Sequence, residues 1–270
     1  MKLSFTKMQG AGNDFIVAGG LSETISLSDE QIRALCHRRF GVGGDGVLLL
    51  GPASDGEMDA RMIYYNADGS RGEMCGNGAR CFTAYALGLG LGREGRVRFE
   101  TDAGPITATA GGGEYTLEMT PPFDFRLRET VQLAAGKSEV HYLNTGVPHV
   151  VKFVSDVDTV DIRREGAELR RHPAFAPKGA NVNFARINPD GPILVRTYER
   201  GVEDETLACG TGVTATAIAA HMIHGVDTPV KLRVAGRAVL TVGFERAGEE
   251  IRNVTLTGPA ETVFTGQVEL

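Results

Sequence analysis

Two cysteines stand in matching surroundings. Cys75 lies in Met74-Cys75-Gly76-Asn77-Gly78-Ala79-Arg80-Cys81, and Cys209 lies in Ala208-Cys209-Gly210-Thr211-Gly212-Val213-Thr214-Ala215. The offset between them, 209 minus 75, is 134 residues, almost half of the 270-residue chain. After each motif come residues rich in Ala, Leu, Ile, Tyr, Phe and Met and free of Pro, 80–87 in the first case and 214–222 in the second. That composition predicts a helix buried on most sides. Each cysteine therefore sits where a helix begins. The unpaired N–H groups and the positive end of the dipole favour an anion there, and the glycines let it approach the backbone closely. The same field stabilises a thiolate, which can titrate well below the free value of ~8.5. One such motif alone reads equally well as a core cysteine behind a tight turn. Its recurrence at the equivalent place of a repeat points to chemistry.

Two thiols of matched character, brought face to face by a pseudo-two-fold, predict proton transfer at carbon. One thiolate removes a proton while the opposite thiol delivers one from the other side, inverting the stereocentre. Cysteine suits the task, because its pKa lies near neutrality and is tunable. The two helix starts would hold a carboxylate on that carbon and stabilise the charge that builds as the proton leaves. Such a site needs no pyridoxal, flavin or metal. The chain has no Rossmann fingerprint, no Cys-x-x-Cys and no His-Glu-x-x-His.

The elements that must position these cysteines follow the same offset. Residues 3–8 alternate as a strand and meet Gly10-Ala11-Gly12-Asn13-Asp14, after which 15–18 resume the pattern. Gly-Asn-Asp is by itself a turn, but it leaves Asn13 at a strand junction. Shifted by 134 residues, Gly12 to Val17 falls on Gly146-Val147-Pro148-His149-Val150-Val151. His149 is there either a satisfied buried histidine or a functional one. Ser28 with Gln31 forms a capping box for a helix whose Ile32, Leu35 and Cys36 share one face. Residues 40–46 are a glycine-rich loop ahead of the buried strand 47–50, and no Gly-Lys-Ser/Thr follows, so a nucleotide site is rejected. Strand 60–65 delivers Asn66, a turn former or a ligand group, just before the first motif. Its counterpart at 195–200 delivers Glu199 and Arg200 before the second. Strands are further expected at 97–101, 104–110, 114–119, 123–127, 141–143, 181–187, 231–234, 238–244, 253–257 and 262–268. The last of these plays the part after the second half that 123–127 plays after the first. The expected domains are 1–122, with 261–270 returning to it, and 123–260.

Composition bounds the alternatives. A chain 42% hydrophobic is long enough for two ordinary cores. Four cysteines and no secretory signal argue for a reducing cytoplasm rather than a disulfide framework. No apolar run approaches the ~20 residues of a membrane span. The net charge of −6 is spread along the chain, which disfavours nucleic acid and anionic membranes. The pairs Arg38-Arg39, Arg163-Arg164 and Arg170-Arg171 read as solvated faces. The 36 glycines fit a strand-rich fold with many tight turns.

Taken together, Gly10-Ala11-Gly12-Asn13-Asp14-Phe15, Asn66-Ala67-Asp68-Gly69-Ser70 with Glu73 to Cys81, Asn144-Thr145-Gly146-Val147-Pro148-His149, and Tyr198-Glu199-Arg200-Gly201 with Ala208 to Gly212 resemble the diaminopimelate epimerase family. The resemblance implies an α+β fold of two pseudo-symmetric domains, each a curved, mostly antiparallel sheet wrapped round a central buried helix, with substrate in the cleft between them. It implies conversion of LL-diaminopimelate to the meso form, for lysine and cell-wall synthesis, with no cofactor and no metal. Cys75 and Cys209 would be the acid–base pair, and His149 and Glu199 would tune and orient them. Gly76, Asn77, Gly210 and Thr211 would hold the reacting carboxylate. Asn13, Asn66, Asn181, Glu199 and Arg200 would contact the substrate, Arg200 through a bidentate pair with the distal carboxylate. A homodimer in the cytoplasm is also implied.

Two positions depart from a common family pattern. Gly46 stands where some members carry Gln, and Val147 where some carry Asn, so neither supplies a polar side chain. Three other readings compete. A proline or hydroxyproline racemase-like enzyme shares the two-thiol logic but has no distal carboxylate to hold, a cysteine hydrolase using Cys75 and His149 leaves the second motif idle, and a binding protein would do no chemistry.

Overall fold

The computed structural model describes residues 2–22, 24–248 and 250–270. The chain divides into two compact units, Met1–Glu118 with Thr257–Leu270, and Met119–Leu256. The first holds β1 (Lys2–Gly10), β2 (Asn13–Gly19), α1 (Asp29–Cys36), β3 (Gly46–Gly51), β4 (Ala60–Asn66), β5 (Arg71–Gly72), α2 (Gly76–Gly88), β6 (Arg96–Thr101), β7 (Gly104–Gly111) and β8 (Glu114–Glu118). The second holds β9 (Phe123–Leu133), β10 (Gly136–Asn144), β11 (Pro148–Phe153), α3 (Ile162–Arg170), β12 (Asn181–Arg186), β13 (Ile193–Glu199), β14 (Asp204–Thr206), α4 (Gly210–His224), β15 (Val230–Arg233) and β16 (Val239–Ala247). Nearly all of β17 (Glu250–Gly258) belongs to it as well. The last strand, β18 (Glu261–Glu269), runs antiparallel to β1 within the first unit, as β9 does to β10 within the second. The fold is α+β and sheet-dominated, with four α-helices among the described residues.

The repeat visible in the sequence is a repeat of pairing. In the first unit β1 and β2 are antiparallel, β2 and β3 parallel, β3 and β4 antiparallel, and β4 and β6 parallel. In the second, β10 and β11, β11 and β12, β12 and β13, and β13 and β15 follow the same order of senses. A connection between parallel neighbours needs a crossover of some length. α1 and α3 supply it between β2 and β3 and between β11 and β12. α1 starts at a complete capping box, in which the Ser28 side chain accepts from Gln31 N–H and Gln31 accepts from Ser28 N–H. Its buried face is Ile32, Leu35 and Cys36.

α2 touches β1, β2, β3, β4, β6, β7 and β8 of its own unit, and α4 touches β10, β11, β12, β13, β15 and β16 of its own. A helix ringed by strands has no water-facing side, which is why both lack the polar stripe of a surface helix. In α4, Val213 to Ala220 is buried without a break, and Gly225 ends the helix in the left-handed conformation. In α2 the same burial encloses Asn77, Arg80 and Thr83 among the apolar residues. Outside the helix ring each unit has a second apolar layer. It is built on Phe5, Ile16, Ile32, Leu35 and Leu49 in the first unit, and on Tyr142, Val150, Leu169, Val182 and Phe184 in the second.

Candidate active site

Both cysteines are the N-cap residues of their helices. Cys75 (φ −139°, ψ 119°) and Cys209 (φ −118°, ψ 107°) have extended backbones, and neither side chain caps its own helix. The first helical bonds are Ala79 N–H to Cys75 O at 2.7 Å and Val213 N–H to Cys209 O at 2.9 Å. The N–H groups of Gly76, Asn77 and Gly78, and of Gly210, Thr211 and Gly212, therefore lie outside the intrahelical pattern. Each helix start thus offers donors and a positive dipole end beside a sulfur.

Strand register brings the other candidates of the first unit to the same edge. Phe15 pairs with Gly46, and Gly46 with Asn66, so the start of β2, the start of β3 and the end of β4 lie side by side. Asn13 accepts from Asn77 Nδ2 at 2.6 Å and donates through Nδ2 to Asp45 Oδ2 at 3.0 Å. Asp45 and Asp14 are both held by Arg38, with Nη2 at 2.7 Å from each, and Lys7 Nζ lies 2.6 Å from Asp14. Arg38, expected to be merely a solvated cation, is the clamp of this cluster. Burial pushes the Asp14 carboxyl up, but Arg38 and Lys7 outweigh it and hold the group well below the usual carboxylate range.

Asn66 is tied at both ends of its amide. Oδ1 accepts from Tyr64 Oη at 2.7 Å, and Nδ2 donates to Ser70 Oγ at 3.0 Å across the turn that follows β4. Tyr64 also accounts for Gly46. A Cβ at position 46 would lie 2.5 Å from the Tyr65 carbonyl oxygen and 2.8 Å from the Tyr64 ring, so no side chain fits at this position.

In the second unit the pattern is a directional chain of hydrogen bonds. Asn183 is fully buried and its oxygen accepts from Thr197 Oγ1 at 2.9 Å, while its Nδ2 donates to Val150 O at 3.1 Å. Those two bonds fix the amide's orientation, so Nδ2, 3.2 Å from His149 Nδ1, is the donor there. His149 Nδ1 is then the acceptor and the ring proton sits on Nε2, 2.9 Å from Thr211 Oγ1. Thr211 accepts that proton, and its hydroxyl lies 3.5 Å from Cys209 Sγ. Burial, with the charge of Arg200 in support, holds the His149 pKa down to about 3, so the ring is neutral at physiological pH. Gly212 makes the approach possible, since a Cβ there would lie 2.3 Å from Asn183 Oδ1.

Asn181 is buried and its Oδ1 accepts from the backbone N–H of Arg200 at 2.7 Å. Among the described residues no carboxylate lies within ion-pair distance of the Arg200 guanidinium. Glu199 is pushed above the usual carboxylate range by burial, against a smaller opposing contribution from Thr206. Val147 supplies only its carbonyl, to Thr145 N–H at 3.2 Å. Cys36 and Cys81 belong to the core, and burial pushes their pKa values up to about 11 and about 12.

The structure thus brings Asn13 and Asn77 to the helix start of Cys75. It brings His149 and Thr211 to that of Cys209, with Asn181 holding the backbone of Arg200. It adds residues that sequence reasoning passed over: Arg38, Asp45, Tyr64, Arg80, Asn183 and Thr197. A polar residue inside an otherwise apolar buried element, as Arg80 is in α2 and Asn183 in β12, is the one signal that could have marked two of them.

Comparison with known proteins agrees with the local geometry. A sequence profile described as diaminopimelate epimerase matches residues 5–122 and 141–263. The diaminopimelate epimerase of Chlorobaculum tepidum is 42% identical over 97% of this chain and 100% of its own length, and that of Aquifex aeolicus is 39% identical over 98% of each. Among solved structures, a hydroxyproline epimerase from Agrobacterium vitis superposes with a TM-score of 0.70 at 23% identity, covering 100% of this chain and 93% of that one. A phenazine biosynthesis protein of the PhzF family from Bacillus anthracis reaches 0.75 at 15%, covering 100% of both. At those identities the likeness is one of fold alone.

Proposed function

The chain belongs to the diaminopimelate epimerase family, and from that premise we propose that it interconverts LL- and meso-diaminopimelate by moving a proton at one α-carbon between Cys75 and Cys209. The observation that carries this is the repeat itself: in each unit a cysteine is the N-cap residue of a buried helix and stands beside the N–H groups of its first turn.

In the proposed reaction one sulfur, as thiolate, takes the α-proton and becomes a thiol. The electron pair left on carbon delocalises into the adjacent carboxylate. The other cysteine, as thiol, returns a proton to the opposite face of that carbon and is left as thiolate. The N–H groups of Gly76, Asn77, Gly210 and Thr211 hold that carboxylate and stabilise its added charge, which builds as the proton leaves and is greatest before the carbon is reprotonated. The acid–base groups need pKa values close to the working pH. A buried neutral His149, passing its Nε2 proton toward Thr211, aligns the Thr211 hydroxyl with Cys209 without adding a positive charge. Glu199, raised by burial, serves the same orienting purpose near the end of β13.

Recognition of the rest of the substrate falls to Arg200, whose guanidinium meets no carboxylate among the described residues. A second carboxylate at the far end of the substrate completes it with two parallel hydrogen bonds. Asn13, Asn66 and Asn181 bind beside it. The asparagine bonds described above hold these amides in place before substrate arrives. A proline-type substrate has no group for Arg200, which favours diaminopimelate over the racemase-like reading. A homodimer working in the cytoplasm, in lysine and peptidoglycan-precursor synthesis, completes the proposal.

The test is incubation with LL-diaminopimelate in heavy water, followed by NMR and chiral chromatography. Loss of the α-proton signal with appearance of the meso isomer is expected, and alanine at Cys75 or at Cys209 abolishes epimerisation in either case. Full epimerisation by either alanine variant would refute the two-thiol reaction. Formation of a stable acyl-enzyme from an ester would point to a hydrolase instead.

A further inference from the structure

The two cysteine frames differ in a charge carried by the helix itself. Arg80, on the second turn of α2, has no solvent exposure at all. Its Nη2 donates to Asn77 Oδ1 at 2.7 Å, its Nε to Pro259 O at 3.2 Å, and its Nη1 lies 3.5 Å from Gly76 O. The guanidinium therefore folds back along the helix to the level of its first turn. All three partners are neutral oxygens, and among the described residues no carboxylate lies within ion-pair distance. A guanidinium does not lose its proton inside a protein, so the charge persists despite its burial. An isolated buried cation is costly unless a negative charge answers it.

The residue at the equivalent place in the second unit is Thr214, by the 134-residue offset, and its hydroxyl simply donates to Gly210 O at 3.0 Å. Where α2 carries a cation, α4 carries none. The hydrogen-bond line that reaches Cys209 is made of neutral groups, His149, the hydroxyl of Thr211 and the amide of Asn183, and the cation that acts on it, Arg200, stands outside the helix, after the end of β13.

The other charges near α2 do not answer Arg80. Lys7 on β1 and Asp14 on β2 are tied to one another, and Arg38 and Asp45 close that cluster. On β4 and β6, Arg61 pairs with Asp102 and Glu100 accepts from Ser54, while Arg96 and Arg98 are exposed. Tyr64 donates its hydroxyl to Asn66. Glu114 on β8 is exposed and, among the described residues, forms no ion pair with Arg80. Cys81 is sealed in the core and stays a neutral thiol, which leaves Cys75, the N-cap residue directly before the Gly76 and Asn77 whose oxygens the guanidinium faces.

We propose that Arg80 is a positioning residue whose buried guanidinium makes Cys75, rather than Cys209, the sulfur that carries the negative charge in the resting enzyme. The asymmetry gives the two thiols fixed starting roles: Cys75 begins as the base and Cys209 as the acid. The reverse direction of the reaction then requires the proton to cross to Cys75 first. This inference rests on reading the two cysteines as the acid–base pair, but its test does not use turnover.

The test is the pH dependence of alkylation by iodoacetamide, read separately at Cys75 and Cys209 by peptide mass spectrometry. The midpoint of each profile reports the thiolate fraction, whatever the accessibility of the sulfur. In the unmodified protein the Cys75 midpoint lies below that of Cys209. In Arg80→Met it rises by roughly one pH unit or more, and alkylation of Cys75 at neutral pH slows about tenfold, because an opposite charge nearby is worth that much. The Cys209 profile does not move. Arg80→Lys restores most of the Cys75 shift, whereas a merely structural role for Arg80 would alter thermal stability and leave the midpoint in place. A Cys75 midpoint unchanged in a folded Arg80→Met protein overturns the inference. If Arg80→Met does not fold, a Cys209 midpoint at or below that of Cys75 in the unmodified protein does so by itself. Absence of epimerisation together with an Arg80-dependent Cys75 profile would refute the proposed function and leave this inference standing.

Discussion

Replacing Asn183 with Leu, the residue found at the structurally equivalent position 48 of the first unit, tests the hydrogen-bond chain at its anchor. Asn183 is fully buried and satisfies three partners: Thr197 Oγ1, Val150 O and His149 Nδ1. A leucine of similar volume leaves all three without their bonds in a site closed to water. Each orphaned buried group costs about 1–3 kcal/mol. Burial of the new apolar side chain returns about 2 kcal/mol. The net loss is about 3 kcal/mol, roughly a hundredfold in the folding equilibrium. The melting temperature falls by roughly 5–10 °C in a chain of this size. Urea unfolding at neutral pH measures the energy, and long-range 1H–15N spectra of the imidazole report which nitrogen of His149 carries the proton. The unmodified protein shows the Nε2–H form and the variant a mixture. A loss under about 1 kcal/mol with the Nε2–H form retained would show that Asn183 neither anchors the chain nor sets the tautomer.

Burial and packing yield three further predictions. The folded pKa of His149, depressed to about 3, means that its contribution to stability is fully present above the unfolded value of 6.5 and is lost as pH falls toward the folded one. His149→Gln should therefore flatten the fall in urea stability between about pH 6 and pH 4, and an unchanged slope would refute a buried neutral ring. The comparison needs the variant, because His141 is also depressed by burial and runs the same way, whereas Glu199, raised by burial, runs the opposite way. Asp14 enters only below its usual range near 3.8. On the other unit, Gly46→Ala forces a Cβ to within 2.5 Å of a backbone oxygen and should cost more than about 2 kcal/mol in urea unfolding. Tyr64→Phe removes the hydrogen bond to Asn66 Oδ1, costing about 1 kcal/mol of stability while raising KM more than it lowers kcat; an unchanged KM would remove Asn66 from substrate recognition.

Local pattern made the repeat, the helix starts and most strands readable from the chain alone. The 134-residue offset carries β1 onto β10 and the start of α2 onto that of α4. Ser28 and Gln31 announce their capping box because every partner lies within one helical turn. Cys36 reads as core because its spacing from Ile32 is that of a helix face. These features depend on periods of two or 3.6 residues and on turn chemistry, all of which are short-range.

What the tertiary structure decided depends on residues far apart in sequence. Arg38 looks like a surface cation until chain closure sets it beside Asp14, 24 positions away, and Asp45. Asn66 could bind a ligand or shape a turn, and the structure shows its amide already engaged by Tyr64 and Ser70. Gly46 admits no side chain for a reason no one-dimensional pattern contains: the Tyr65 carbonyl oxygen and the Tyr64 ring occupy the space a Cβ would need. The sequence by itself determined that two matched cysteines head two buried helices. Only packing determined that a cation lies buried behind one of them and a neutral imidazole behind the other, because burial and hydrogen-bond partners are set by which strands close round each helix.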